Sequence, residues 1–312
     1  MKVFFAGTPG IAVPALERLH KDHEIVGVLT NPDRGSGRGR GVACSPVKLE
    51  ADKLGIKTFQ PEVIDQSFID EVKGLGAEIL AVVAFGKIFR REFIDIFPLG
   101  GLNVHPSLLP RYRGASPIQS ALLSGDNDTG ISIQRLALKM DSGAILKQER
   151  YTYKGDETGE SLTAYFSVKG AELLSEVITD LENGTSAEWE QNADNATYCS
   201  YINKEDGEIN WSDSAAAVER RLRAFTPWPG IYTFFNEKKL NILEAKVYNA
   251  ESAEEAAPGR VVGIDKNVGV LVKTGEGILS VQKLQLQSKK ALDWKSFLNG
   301  VKDFRDAELG GK

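Results

Sequence analysis

EILAVVAFG, residues Glu78–Gly86, is apolar at every position from Ile79 to Phe85. A strand wetted on one face alternates apolar and polar side chains. This one has no wet face, so it belongs inside a sheet covered on both sides. Three further runs of strand length, KVFFAG (Lys2–Gly7), EIVGVLT (Glu24–Thr30) and GLNVH (Gly101–His105), are rich in Val, Ile and Phe. Between them, VPALERLHK, PVKLEADKLG and FIDEVKGLG repeat apolar residues at helical spacing. Strand, helix, strand in repetition predicts an α/β domain with a Rossmann-like, mostly parallel sheet and helices on both faces. Ligands of such sheets bind at the carboxyl ends of the strands.

Two more strand-like runs, GISIQRLAL (Gly130–Leu138) and AILKQERYTY (Ala144–Tyr153), precede a long amphipathic stretch, ESLTAYFSVKGAELLSEVITDLENG, which reads as the helix closing this domain. A polar, weakly patterned segment follows, and past a helix near Ser214–Phe225 the pattern changes. IYTFFNEKKLNILEAKVY, GRVVGI, VGVLVKT and ILSVQKLQLQ are strand-like and are punctuated by the turns DKNVG and TGEG. That pattern predicts a small antiparallel β-barrel of the oligonucleotide-binding type. The expected division is residues 1–188, a linker over 189–206, and a second domain over 207–312.

The chain has 312 residues, 42% hydrophobic and 26% charged, with a net charge of -5. No apolar run of about 18 residues exists, and the start lacks a cationic head before a long apolar segment. No membrane role and a cytoplasmic location are therefore expected. Cys44 and Cys199 lie far apart with no metal-ligand spacing, so neither a disulfide scaffold nor a structural zinc is expected. Negative net charge argues against coating nucleic acid by overall charge, so any such contact must be local.

In GLNVH, residues two apart on a strand point the same way, so Asn103 and His105 project together from its carboxyl end, where Pro106 stops it. An amide donor beside an imidazole can stabilise a developing oxyanion and handle a proton. The alternative is a turn-capping Asn103 and a hydrogen-bonded surface His105. Asp141, in LKMDSGAILKQ between two strand-like runs, is either a turn former or a carboxylate that orients His105 and favours its protonated form. The segment NPDRGSGRGRGVACSPVK carries Arg34, Arg38, Arg40 and Lys48 among glycines that should let it mould around an RNA backbone. Its spacing is wrong for GxGxxG, so a dinucleotide cradle is not supported, and a plain solvated surface is the other reading.

Asn103, His105 and Asp141, with the loop SLLPRYRG (Ser107–Gly114), resemble the catalytic set and folate loop of the 10-formyltetrahydrofolate-dependent formyltransferases. The resemblance extends along nearly the whole chain, through FAGTPGIAVPAL, the arginine loop, AVVAFGKI, INWSDSAAAVERRLRAFTPWPG and LQLQSKKALDWKSFLNG, and is nearest to the branch acting on methionyl-tRNA. It implies transfer of a formyl group from 10-formyltetrahydrofolate to the α-amine of methionyl initiator tRNA, through a tetrahedral species and without a covalent enzyme intermediate or a metal. On that reading Asn103 and His105 stabilise the oxyanion, and Asp141 keeps His105 charged and takes up the amine proton through water. The folate is expected against Ser107, Leu108, Leu109 and Pro110, and against Phe85, Gly86 and Ile88. The tRNA is expected against Arg34, Arg38, Arg40, Lys48, Lys289 and Lys290, and a monomer is expected. The chain departs from the family at Ala137, Lys139, Arg90 and Pro106, none of them a proposed catalytic side chain. A folate-dependent formyltransferase or hydrolase acting on a small amine or sugar nucleotide is the alternative; it needs neither the arginine loop nor an RNA-binding second domain.

Overall fold

The structure is a computed structural model that describes residues 1–36, 41–249 and 256–311. It divides into two compact units, residues 1–118, 127–153 and 161–200, and residues 119–126, 154–160 and 201–312.

The first unit is built on β1 (Lys2–Gly7), α1 (Val13–Asp22), β2 (Glu24–Leu29), β3 (Arg34–Ser36), β4 (Gly41–Ala43), α2 (Pro46–Lys53), β5 (Thr58–Phe59), α3 (Gln66–Lys73), β6 (Ile79–Val83), α4 (Arg91–Ile94), β7 (Gly101–His105) and β8 (Arg113–Gly114). After α5 (Pro117–Ser124), most of which groups with the second unit, come β9 (Asp128–Arg135), β10 (Ile145–Thr152), α6 (Gly159–Glu182) and β11 (Tyr198–Cys199). The main sheet runs in the order β10-β9-β7-β6-β1-β2-β5. β1, β2, β5, β6 and β7 pair in parallel, and β6 is buried at every position, as its unbroken apolar run requires. β9 then runs antiparallel to β7, and β10 antiparallel to β9.

Helix ends follow local chemistry. Ser45 caps α2 and Asp65 caps α3, each side chain accepting a backbone N–H of the first turn. The short β3 and β4 pair antiparallel at the base of the glycine-rich segment. There the sequence argues only for conformational freedom, whereas alternating ladder bonds tie the two flanks together.

The segment expected as a linker is divided. Through Ser200 it groups with the first unit, where Trp189 bridges Ile145 and β11 pairs in parallel with β8. From Tyr201 onward it groups with the second unit.

That second unit carries α7 (Ala215–Ala224), β12 (Ile231–Phe235), β13 (Lys238–Tyr248), β14 (Val261–Asp265), β15 (Gly269–Lys273), β16 (Ile278–Leu286), β17 (Leu292–Asp293) and α8 (Trp294–Gly300). Its strands are antiparallel in the order β12-β13-β16-β15-β14, with β17 on β16, and β13 shifts register at Ile242–Ala245. Such irregularities bend a strand and curl the sheet around its own core of Leu240, Ile242, Val270, Leu279 and Phe304. The sequence pattern does not show α8, because seven residues hold too few turns for a periodicity; Asp293 starts it by accepting the N–H groups of Lys295 and Ser296.

One face of the parallel sheet is filled by Phe4, Phe59, Phe68, Phe85, Phe89, Phe93 and Phe97. Phe93, on the four-residue α4, is fully buried and lies 5.3–6.3 Å, ring centre to ring centre, from Phe4, Phe68, Phe89 and Phe97. Phe93→Ala is expected to lower the denaturant unfolding free energy by about 3–5 kcal/mol, the usual cost of an aromatic cavity. Urea titration followed by tryptophan fluorescence and circular dichroism measures it.

Candidate active site

Residues facing each other across an antiparallel pair share a face of the sheet. Asn103 pairs with Gln134 and His105 with Ser132, so these four side chains form a polar stripe on β7 and β9; Gln148, opposite Ser132 on β10, extends it. His105, Ser132 and Gln134 are all buried. The pairing also sets a problem for Asp141. Leu102 lies opposite Arg135, so the β9–β10 connection leaves from the end of β7 remote from His105. To reach the imidazole it must double back. Asp141 adopts a left-handed backbone with φ 50°, and Gly143 passes so close to the start of the loop that a Cβ would lie 2.0 Å from the Arg135 carbonyl oxygen.

The doubled-back loop delivers the carboxylate to the stripe. The Gly114 N–H donates to Asp141 Oδ2 at 2.8 Å, and Gln134 Nε2 donates to Oδ1 at 2.9 Å. His105 Nδ1 lies 3.6 Å from the same Oδ1, and His105 Nε2 lies 2.9 Å from the Tyr112 carbonyl oxygen. Both ring nitrogens therefore face acceptors. Asn103 is half-buried, and its side chain makes no hydrogen bond among the described residues. The stripe thus presents one uncommitted amide beside the His105–Asp141 pair, which suits charge developing on a carbonyl oxygen.

The loop after β7 is clamped to the same strands. Ser107 Oγ donates to the Arg111 carbonyl at 2.6 Å, and Ser132 Oγ donates to the Ser107 carbonyl at 2.7 Å. The Leu109 N–H donates to Ser132 Oγ at 3.2 Å, while Gln148 Nε2 donates to the Leu109 carbonyl at 3.0 Å. Ser107, Leu108 and Leu109 are buried, Pro110 is half-buried, and the Leu109–Pro110 peptide is cis.

On the loop after β6 the ring of Phe85 is committed to the core, stacked on Phe89 at 5.2 Å. Gly86, with φ 78°, has nothing within 4 Å of where a Cβ would stand, and Ile88 is 72% exposed. The Phe85 carbonyl accepts from Asn31 Nδ2 at 2.9 Å, and the same amide reaches Thr8 Oγ1 at 3.0 Å, so the turns after β1, β2 and β6 are joined. The turn after β6 thus presents an open glycine and an exposed apolar side chain, and the loop after β7 is held by its hydrogen bonds to β9 and β10.

The expected RNA contacts are dispersed. Arg34 starts β3, whereas Arg38 and Arg40 lie outside the described residues. Lys48 is paired with Asp52 at 2.9 Å, which holds its ammonium above the usual lysine range. Lys289 and Lys290 are exposed in the turn between β16 and β17.

Several site residues escape sequence reasoning. Ser132 and Gln134 carry a faint signal, two polar residues at strand spacing inside the apolar run GISIQR. Gln191 and Arg113 carry none. Arg113 is only 2% exposed, and its Nε and Nη2 donate to Gln191 Oε1 at 3.1 and 2.7 Å. Its Nη1 lies 3.5 Å from the hydroxyl of the exposed Tyr198; that contact, with the charge of Lys139, holds the phenol below its usual range. No cluster of His, Cys, Asp and Glu with metal-ligand geometry occurs among the described residues.

A formyl transferase family model matches residues 1–178, and the formyl transferase C-terminal domain matches residues 201–302. The chain belongs to the formyl transferase family. This formyltransferase is 44% identical to a methionyl-tRNA formyltransferase of Treponema denticola, covering 97% of this chain and 98% of that one. It is 39% identical to one of Borrelia hermsii, over 97% and 98% of the two chains. Among solved structures, a sugar 3N-formyltransferase superposes with a TM-score of 0.66 at 20% identity, covering 93% of this chain and 99% of that one. A methionyl-tRNA formyltransferase from Clostridium thermocellum superposes with a TM-score of 0.55 at 17% identity, over 80% and 95%. At those identities the superpositions speak for the fold.

Gly114 is the backbone donor on which Asp141 depends. Its φ is 125°, and a Cβ there would lie 2.0 Å from the Cys199 carbonyl oxygen. Gly114→Ala is expected to separate β8 from β11 and to lower turnover by on the order of 10- to 100-fold, since a hydrogen bond to a charged group is worth roughly 1.5–3 kcal/mol. Steady-state rates on protein checked by circular dichroism test this.

Proposed function

We propose that this formyltransferase, a monomer in the cytoplasm, transfers the formyl group of 10-formyltetrahydrofolate to the α-amine of methionyl initiator tRNA. The observation that carries the chemistry is the uncommitted Asn103 amide beside the His105–Asp141 pair, and the choice of acceptor rests on the relatives at 39–44% identity over nearly the whole chain. The folate co-substrate supplies an activated formyl carbon on N10; the amine adds to it to give the tetrahedral species, which then collapses with cleavage of the bond to N10, and N10 leaves carrying a proton. The folate is held against the Ser107–Pro110 loop, the open backbone at Gly86 and the side chain of Ile88. Asn103 donates to the formyl oxygen as negative charge grows there, and protonated His105 supplies the compensating positive charge. Asp141 balances that charge between turnovers and accepts, through water, the proton that the amine loses. The basic segment around Arg34, Arg38 and Arg40, with Lys289 and Lys290 on the second unit, holds RNA phosphates. Lys48, already paired with Asp52, contributes less.

Formylation of charged initiator tRNA by the purified protein, with a sugar-linked amine as the competing acceptor, tests this function. Asn103→Ala and His105→Ala are each expected to lower kcat by roughly two to three orders of magnitude with little change in KM, because the charge they bind appears only in the transition state. Near-normal turnover of folded His105→Ala protein counts against the assignment. Replacing Arg38 and Arg40 together with alanine should flatten the dependence of tRNA affinity on salt and leave folate affinity unchanged, because fewer counterions are released. Filter binding at several salt concentrations reads the slope.

A further inference from the structure

The Asp141 loop has to hold a left-handed residue and a sharp reversal in place, and the β9–β10 ladder closes its ends, where the Arg135 N–H donates to the Ala144 carbonyl at 2.8 Å. Within the reversal the Ser142 N–H and Oγ donate to the Lys139 carbonyl at 3.3 and 2.8 Å, and one distant side chain reaches across its far half. Gln191 Nε2 donates to the Asp141 carbonyl at 2.9 Å and to the Gly143 carbonyl at 2.7 Å, bridging both sides of Ser142. It also lies 3.3 Å from Gln134 Oε1, the other end of the amide whose nitrogen holds Asp141 Oδ1.

An amide can be turned either way round, and here its direction is forced. Gln191 Oε1 accepts two N–H bonds from Arg113, a buried guanidinium with no carboxylate partner among the described residues. A buried cation without an anion leans on the strongest neutral acceptor within reach, so the amide oxygen must face it and the amide nitrogen must face the loop. Bonding to a cation also polarises the amide and strengthens the bonds that its nitrogen donates.

We propose that Gln191, oriented by Arg113, is a positioning residue for formyl transfer, holding the Asp141 loop so that the carboxylate meets His105. It touches neither substrate. Its effect passes through the Asp141 and Gly143 carbonyls and through Gln134. A displacement of the catalytic geometry by about 1 Å can cost on the order of 10²-fold in rate. Loss of Gln191 is therefore read in kcat.

The inference rests on the formyl-transfer reading, and wild-type turnover tests that reading by itself. With wild type active, two variants decide the role of Gln191. Gln191→Ala removes both halves of the contact. Gln191→Glu keeps the acceptor and pairs it with a buried cation, so the fold keeps its anchor, but the ionised side chain has nothing to donate to the two carbonyls. The expected result is a folded Gln191→Glu protein with a melting temperature near that of wild type, a kcat lowered by roughly 10- to 100-fold, and KM values for folate and tRNA within about twofold of wild type. A purely structural Gln191 predicts the reverse pattern, with Gln191→Glu as active as it is stable. A kcat within about twofold of wild type in folded Gln191→Glu, a loss confined to KM, or failure of both variants to fold would each overturn the proposal.

Discussion

Everything at this site depends on keeping one carboxylate in a place where water does not solvate it fully. A half-buried anion is tolerated only with donors on its oxygens. Asp141 takes them from Gly114 on one side and Gln134 on the other, with the His105 ring opposite. Each donor comes from a different stretch of chain. Gly114 must sit where a side chain cannot, Gln134 must face inward on an otherwise apolar strand, and the loop after β9 must turn back on itself. The reversal of strand direction at β9 makes the second and third conditions compatible. It puts Gln134 level with Asn103 while sending the connection away from the site and then back across the face of the sheet.

The remaining side chains around the stripe act as fixtures. Ser132 and Gln148 hold the loop after β7 through its main chain, so that Ser107 and the buried leucines form a rigid wall. The phenylalanine cluster sets the position of the loop after β6 from beneath, since Phe85 and Phe89 are part of the core while Gly86, Lys87 and Ile88 between them face outward. Among the described residues around the stripe, Asn103 is left with its side-chain amide making no hydrogen bond.

The parallel sheet is readable because each central strand is apolar throughout and each intervening helix repeats at helical spacing. The pairing of Asn103 with His105 follows from strand geometry alone. Asp141 as their partner does not, because it lies 36 residues beyond His105 in the sequence and arrives by a loop reversal that leaves no periodic trace; its assignment comes from resemblance, and its placement from the structure. Gln191 and Arg113 are invisible for a stronger reason. Their meeting joins a turn after β7 to a polar segment that has no pattern of its own and reads as a linker. The short α4 and α8 escape for lack of length, and Phe85, expected against the folate, has its ring in the core.

The left-handed backbone at Asp141 bears on how substitutions there are interpreted. Aspartate and asparagine tolerate that conformation far better than residues with a purely aliphatic Cβ, because their short polar groups can bond locally. Alanine at this position therefore perturbs two things together, the charge and the path of the chain, and its effect cannot be apportioned. Asparagine leaves the path intact and removes only the charge. The difference between the two variants separates the conformational share of Asp141's contribution from the electrostatic share, a separation that the extended backbones of Asn103 and His105 do not provide.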